Sequence, residues 1–352
     1  MLRVRFFTLM TYLCLFIASA PLAAQAVQPA WINNPYASFN RQAYIVAVGV
    51  GNSRQTAERD ALRGIAGMFG LNIQAVERLT TLYREVITDG ATAWTYETDF
   101  RSAIETSVRM DNLMGAEIRQ HWVDNRGTHF VLAVLNRATA IVLYSNRITA
   151  NQDVIRNLTN IPAAQRNSID GFARYQFAAA VADMNFTYGE MLVFLGAPWY
   201  GTLARGDYFR QRARAIARSI PIGIHVRSGN SGADARIQGA FADVLFDEFG
   251  FLTGGSGHRY VLNVDVTMQP RQRGGHVLRG QDLYFSWIEI RTDVRANLVD
   301  AGTGVILLPH DFNFSGPGRT NQFDAEDVAI NELAQIIRRE YGDRLSRLAP
   351  RR

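Results

Sequence analysis

Apolar and polar positions along the chain switch between two periods, and the switches mark the elements. "YIVAVGVG", Tyr44 to Gly51, is continuously apolar and β-branched, the pattern of a buried strand. Directly after it, Ala57, Ala61, Ile65 and Met68 or Phe69 recur at helical spacing, with Asn52 or Ser53 placed to cap the helix. The small alanines on that face predict close docking on a sheet. "GAEIRQHWVDNRGTHFVLAVLN" holds two strand-like runs around Asn125-Arg126-Gly127, which predicts a hairpin. A helix from about Arg137 to Asn157 follows. Residues 76–108 are ambiguous: Thr80 to Ile87 leans to strand, and Asp99 to Val108 fits either period.

From Ala163 to Leu195 the chain is helical and alanine-rich, read as a helical hairpin broken near Asn185 and ended by "GAPWYG". Asp207 to Arg218 makes another helix, which Pro221 terminates. A second unit then begins with the strand "IPIGIHVRS", a Gly/Ser loop and a helix from Ala233 to Phe249. Strands follow at "RYVLNVDVTM", "LYFSWIEIRTDVRANLVD" and "TGVILLPHDFNF", and a last helix runs from Ala325 to about Leu345. This order predicts an α+β fold: two small layered α/β domains with mostly antiparallel sheets, joined by a helical segment. The expected divisions are a leader over 1–26, a first domain over 27–157, the helical segment over 158–218 and a second domain over 219–352.

The leader is expected from pattern. Arg3 and Arg5 precede an apolar stretch from Phe6 to Ala20, and Ala24-Gln25-Ala26 offers small residues before Val27, the arrangement of a cleaved secretory signal. No later stretch is long and apolar enough to cross a bilayer, so no transmembrane span is expected after cleavage. The single cysteine, Cys14, lies inside the leader, so the mature chain is expected to lack disulfides, thiol nucleophiles and thiolate metal sites. All 37 basic residues are arginine. The absence of lysine excludes a Walker-type phosphate lysine and Schiff-base chemistry. A formal net charge of +5 is mildly basic, and no nucleic-acid partner is expected.

Gly49 and Gly51 open a strand-to-helix turn of the kind that begins a dinucleotide site. That fingerprint needs a third glycine, where this chain has Arg54, and a ribose-binding acid at the end of a second parallel strand. Glu77 does not hold that place. The expectation is therefore that Gly49, Gly51 and Ser53 form a structural turn, with no cofactor bound.

The same stretch resembles a known family. Trp31-Ile32-Asn33-Asn34-Pro35, then Tyr44 to Gly51, then a Ser/Thr-rich cap and a helix with Ala57 and Ala61 resemble the LPP-twenty lipoprotein family, and are similar also to the N-terminal domain of flagellar assembly protein T. "WVDNRGTHFVLAVLN", Trp122 to Asn136, matches that family's hairpin, in which a Trp-x-Asp-x-x-Gly turn precedes an apolar strand. The resemblance covers roughly Pro29 to Tyr144. It implies a non-catalytic envelope protein, periplasmic or peripherally attached to the outer membrane, with envelope or flagellar proteins or a second copy of itself as partners. The family's lipid-bearing cysteine at the cleavage point has no counterpart here.

Chemistry-bearing residues are sparse. The six histidines make no H-x-x-x-H or H-E-x-x-H pair, and no metal site is expected; His121 and His129, on opposite arms of one hairpin, are read as sheet-surface residues. "GNSGA" and "GGSGH" lack the final glycine of a nucleophile elbow, and Ser231 is read as a helix cap. Asp243, Asp247 and Glu248 are read as a solvated helix face, which cannot supply a calcium loop's alternating ligands. Asn157 and Asn185 match glycosylation acceptors. No catalytic residues emerge. One feature stands above background: Arg210, Arg214 and Arg218 share a helical face, at a cost of a few tenths of a kcal/mol per like-charged pair, ~0.2–0.5, unless something acidic meets them. Trp199 and Tyr200 lie nearby and offer an aromatic platform. The expected function is contact with other envelope proteins. The alternative is a binding module for peptidoglycan, glycan or anionic lipid that uses these five residues.

Overall fold

A computed structural model describes residues 27–69, 113–199, 204–254, 257–274 and 286–346. The expected leader over 1–26, the ambiguous stretch 76–108, Tyr200 and the serine of "GGSGH" lie outside the described residues. The chain divides into two compact units, one built from residues up to 68 together with 116–137, the other from 69–115 and 138 onwards. The fold is α+β, with two sheets that are mostly antiparallel.

In the first unit, α1 (Ala30–Asn33) leads into β1 (Tyr44–Gly51) and α2 (Arg54–Met68), and the hairpin of β2 (Ala116–Val123) and β3 (His129–Asn136) completes a three-stranded sheet of order β1-β3-β2. Period-2 alternation sorts the strands' side chains onto two faces. On one, Trp31, Val46, Leu132 and Val134 form a core with Tyr36, Phe39, Trp122 and Phe130, so the lead-in segment covers that face. On the other, α2 docks through Ala57, Ala61 and Ile65, each fully buried. Ser53 caps α2, its Oγ accepting from the Thr56 amide at 3.3 Å. The hairpin turn is fixed by Asp124, whose Oδ1 accepts from the amides of Arg126 at 2.9 Å and Thr128 at 2.7 Å, while Gly127 takes φ 79°. These bonds, that from Thr128 foremost, hold the Asp124 carboxyl below its ordinary range.

The second unit begins with α3 (Arg137–Thr159), the short α4 (Ala163–Arg166) and α5 (Ile169–Leu195). The hairpin expected near Asn185 is absent: α5 runs unbroken through that position. Asn185 is 1% exposed; its Oδ1 accepts from Asn151 Nδ2 of α3 at 2.8 Å, and its own amide donates to the Ile148 carbonyl at 3.3 Å. A polar residue that breaks helices when solvated is here satisfied by a neighbouring helix. Burial also leaves the Asn185 amide no access for glycosylation. Gly196, at φ 90°, ends α5 as "GAPWYG" predicts.

Next, α6 (Gly206–Ser219), β4 (Ile222–Arg227), α7 (Ser231–Asp247), β5 (Tyr260–Gly274), β6 (Ser286–Asp300), β7 (Val305–Ser315) and α8 (Gln322–Ser346) follow. The sheet order is β4-β5-β6-β7; β4 and β5 are parallel, joined through α7, and the other pairings are antiparallel. The cap of α7 is Asn230 rather than Ser231, its Oδ1 accepting from the amides of Gly232 and Ala233. Ile169 and Phe172 of α5, Ala213 and Ala217 of α6, and Ile237, Phe241 and Leu245 of α7 enter one core with Leu262, Val294, Leu298, Leu333 and Tyr341. The strand expected to end at Met268 continues to Gly274 and includes Pro270. There β5 pairs only with β6, because the β4 pairing stops at Asp265, so a residue without an amide proton is tolerated.

Candidate functional site

The three stripe arginines lie on α6 but do not share one fate. Arg210 is held inside the chain: its guanidinium donates to Asp183 of α5 and to Asp207, each at 2.6 Å. Gly206 makes room for this, since a Cβ there would fall 2.1 Å from Asp183 Oδ1. The hydrogen bond that Arg210 donates to Asp183 raises the Arg210 pKa, and Arg210 in turn lowers that of Asp207. Arg210 and Asp183 are 42% and 36% exposed, so solvent limits the pair to about 1 kcal/mol or less.

Arg214 and Arg218 are exposed and make no ion pair with any described residue. The stem of Arg214 passes Gly250, in the turn after α7, where a Cβ would meet its Cβ and Cγ at 3.9 Å. That turn is a helix C-cap: Gly250, at φ 83°, donates to the Phe246 carbonyl at 2.9 Å, and the Phe251 amide reaches Leu245. Its flanking apolar side chains point to solvent, with Phe246 56% and Leu252 45% exposed. Two unpaired guanidiniums and two exposed apolar groups thus belong to neighbouring segments of one unit. Sequence reasoning found the arginines but missed Phe246 and Leu252, because apolar character alone does not tell an exposed residue from a core one. Asp183 was missed for a different reason: it is 27 positions from its partner.

Trp199 is packed on the helix. It lies half-buried over Gly189 of α5, where a Cβ would fall 2.2 Å from its Cε2, and meets Phe186 edge-on at 5.3 Å. Arg205 covers Phe186 at 4.8 Å. Among the aromatics near the stripe, Phe209 is core and Tyr208 is half exposed beneath Arg212. One face of the platform expected of Trp199 is therefore committed to the helix, and its companion Tyr200 lies outside the described residues.

Gly49 and Gly51 are structural, but the reason differs from a permissive backbone, since neither has positive φ. A Cβ on Gly49 would fall 2.1 Å from both the Ala57 carbonyl oxygen and the Ala61 nitrogen, and one on Gly51 would fall 2.7 Å from the Ala57 nitrogen. Helix α2 occupies the space above them. The Val50 amide is taken by Asp60 Oδ2 at 2.9 Å. His121 and His129, in contrast, do meet: His121 Nε2 and His129 Nδ1 are 2.9 Å apart. Asp243 is paired with Arg338 at 2.9 Å, as a solvated face allows. Among the described residues no group of three or more metal-ligating side chains converges, and no helix is long and apolar enough to cross a membrane.

No family model matches the chain, and no curated protein matches it in sequence. Solved structures match at low similarity. A secreted protein of the human pathogen Helicobacter pylori aligns with TM-score 0.40 and 11% identity, over 84% of this chain and 96% of its own. A minor lipoprotein of Acinetobacter baumannii aligns with TM-score 0.25 and 14% identity, over 35% of this chain and 92% of its own. A Xanthomonas campestris protein of family DUF330 aligns with TM-score 0.23 and 14% identity, over 36% and 85%. Likenesses at this level carry no argument about what the chain does.

Proposed function

We propose that this is an exported, non-catalytic cell-envelope protein that acts by protein–protein contact in an envelope or flagellar assembly. The observation that carries the contact is that the stem of Arg214 passes the turn at Gly250, whose flanking Phe246 and Leu252 are exposed, with exposed Arg218 one turn further along the same helix. Unpaired arginine beside exposed aromatic and aliphatic groups is the composition of interface centres, where a guanidinium pairs with a partner's carboxylate as the apolar groups lose water. An acidic, partly apolar protein face is the complementary partner. Export rests on the leader pattern of the sequence. The strand edges favour side-chain contact over strand addition: Tyr36 and Asp60 take amides of β1, Arg119 and Glu117 pair on the bulged β2, and Pro309 sits in β7.

The test is affinity capture from envelope extracts with the tagged mature protein beside an Arg214→Glu/Arg218→Glu variant that melts at the same temperature. The wild type is expected to recover envelope proteins that the variant loses by tenfold or more. Equal recovery by both, or recovery of no envelope component, contradicts the proposal. The same two unpaired arginines support a second reading, contact with anionic lipid. Sedimentation with anionic liposomes separates the two: lipid binding requires co-sedimentation that falls as salt screens the charges.

A further inference from the structure

We propose that His121 and His129 form a two-histidine chelate for a late first-row divalent cation, with Cu(II) the best fit. The site is made by the hairpin. His129 begins β3 and lies opposite Val123, while His121 lies opposite Val131, so the two are diagonal neighbours on the same face of the paired strands. The turn that sets this register is locked by Asp124 and Gly127, and Trp122 packs against Phe130 on the opposite face at 5.5 Å. The backbone beneath the two imidazoles is therefore fixed before any ion arrives. His121 is exposed and His129 half-buried, which leaves an open side for water ligands.

The facing nitrogens are 2.9 Å apart and the ring centroids 5.1 Å apart, so the rings meet head-on and each turns about its Cβ–Cγ bond before both lone pairs point at one ion. Two imidazoles with open positions for water suit the late first-row metals, and Cu(II) stands highest in their affinity order, above Ni(II) and Zn(II). In the absence of metal, one facing nitrogen donates and the other accepts. Coordination needs both facing nitrogens bare, with the protons on His121 Nδ1 and His129 Nε2. The ion thus replaces one shared proton position by two metal bonds. Water completes the shell, since no third protein ligand converges among the described residues.

The test uses untagged mature protein titrated separately with CuCl2, NiCl2 and ZnCl2 by calorimetry, with electron paramagnetic resonance of the Cu(II) form. One Cu(II) per chain should bind, with hyperfine structure from two imidazole nitrogens, more tightly than Ni(II) and at least tenfold more tightly than Zn(II). His121→Gln and His129→Gln should each weaken Cu(II) binding at least tenfold, and circular dichroism melts show whether each variant is folded. The His225→Gln variant, altered at an exposed histidine of the second unit, should bind as wild type does. Unchanged Cu(II) affinity in both hairpin variants, a spectrum with one nitrogen or none, or preference for Zn(II) overturns the assignment.

Discussion

The two units solve helix-on-sheet packing in opposite ways. In the first, α2 approaches β1 so closely that backbone meets backbone, and the contact is built from Gly49, Gly51, Ala57 and Ala61. In the second, α7 and α8 stand off the sheet on large side chains: Phe241 and Tyr341 meet edge-to-face at 4.8 Å over Leu262, Val294 and Leu298. One interface is defined by the absence of side chains and the other by their volume. The first should therefore be intolerant of added atoms, and the second of removed ones.

The largest effect should follow from emptying the second interface. Phe241 is fully buried, and Phe241→Ala should destabilise this unit by about 3–5 kcal/mol in denaturant titration, because transfer and cavity costs add. A loss below about 1 kcal/mol would mean that the helices collapse into the gap, and that the stand-off packing is softer than described.

A smaller, pH-dependent effect follows from what large-residue packing traps. The buried atoms Thr292 Oγ1, His310 Nε2 and Tyr341 Oη have no hydrogen-bond partner among the described residues. Burial, with Arg344 nearby, lowers the His310 pKa, and Glu340 and Asp311 oppose the shift only in part. A depressed histidine pKa means that the unfolded chain binds the proton more readily. The stability of the neutral form is then fully present above the unfolded value of about 6.5 and erodes as pH falls below it. Melting temperature measured from pH 8 to pH 5 should fall more steeply for wild type than for His310→Phe. Parallel profiles would contradict a neutral, buried His310.

The same contrast explains what the sequence disclosed. Periodicity gave the order of strands and helices because the apolar faces are local signals: Ala57, Ala61 and Ile65 at helical spacing, and Tyr44 to Gly51 as a continuous run. It erred where satisfaction comes from far along the chain. Asn185 reads as a breaker until Asn151 is seen beside it, and the arginine stripe reads as unrelieved until Asp183 reaches Arg210. The strand reads as ending at Met268 because nothing local shows that β5 has lost its β4 neighbour before Pro270. At the candidate surface, Arg214 and Arg218 were legible from charge spacing. Phe246 and Leu252 were not, since apolar character alone does not distinguish an exposed residue from a core one. At Gly49 and Gly51 the requirement for glycine was legible and its cause was not, because close approach and positive φ leave the same mark in a sequence.

Helix α2 fills the space above the Gly-x-Gly pair, so this turn serves packing. Equilibrium unfolding of Gly49→Ala beside Gly67→Ala tests it most directly, since both add one methyl and Gly67, in the same helix, has nothing within 4 Å of its would-be Cβ. Gly49→Ala should cost about 1–3 kcal/mol. Gly67→Ala should be neutral or stabilising by up to about 1 kcal/mol, through helix propensity. Equal effects of the two substitutions, or a Gly49→Ala protein as stable as wild type, would contradict the account.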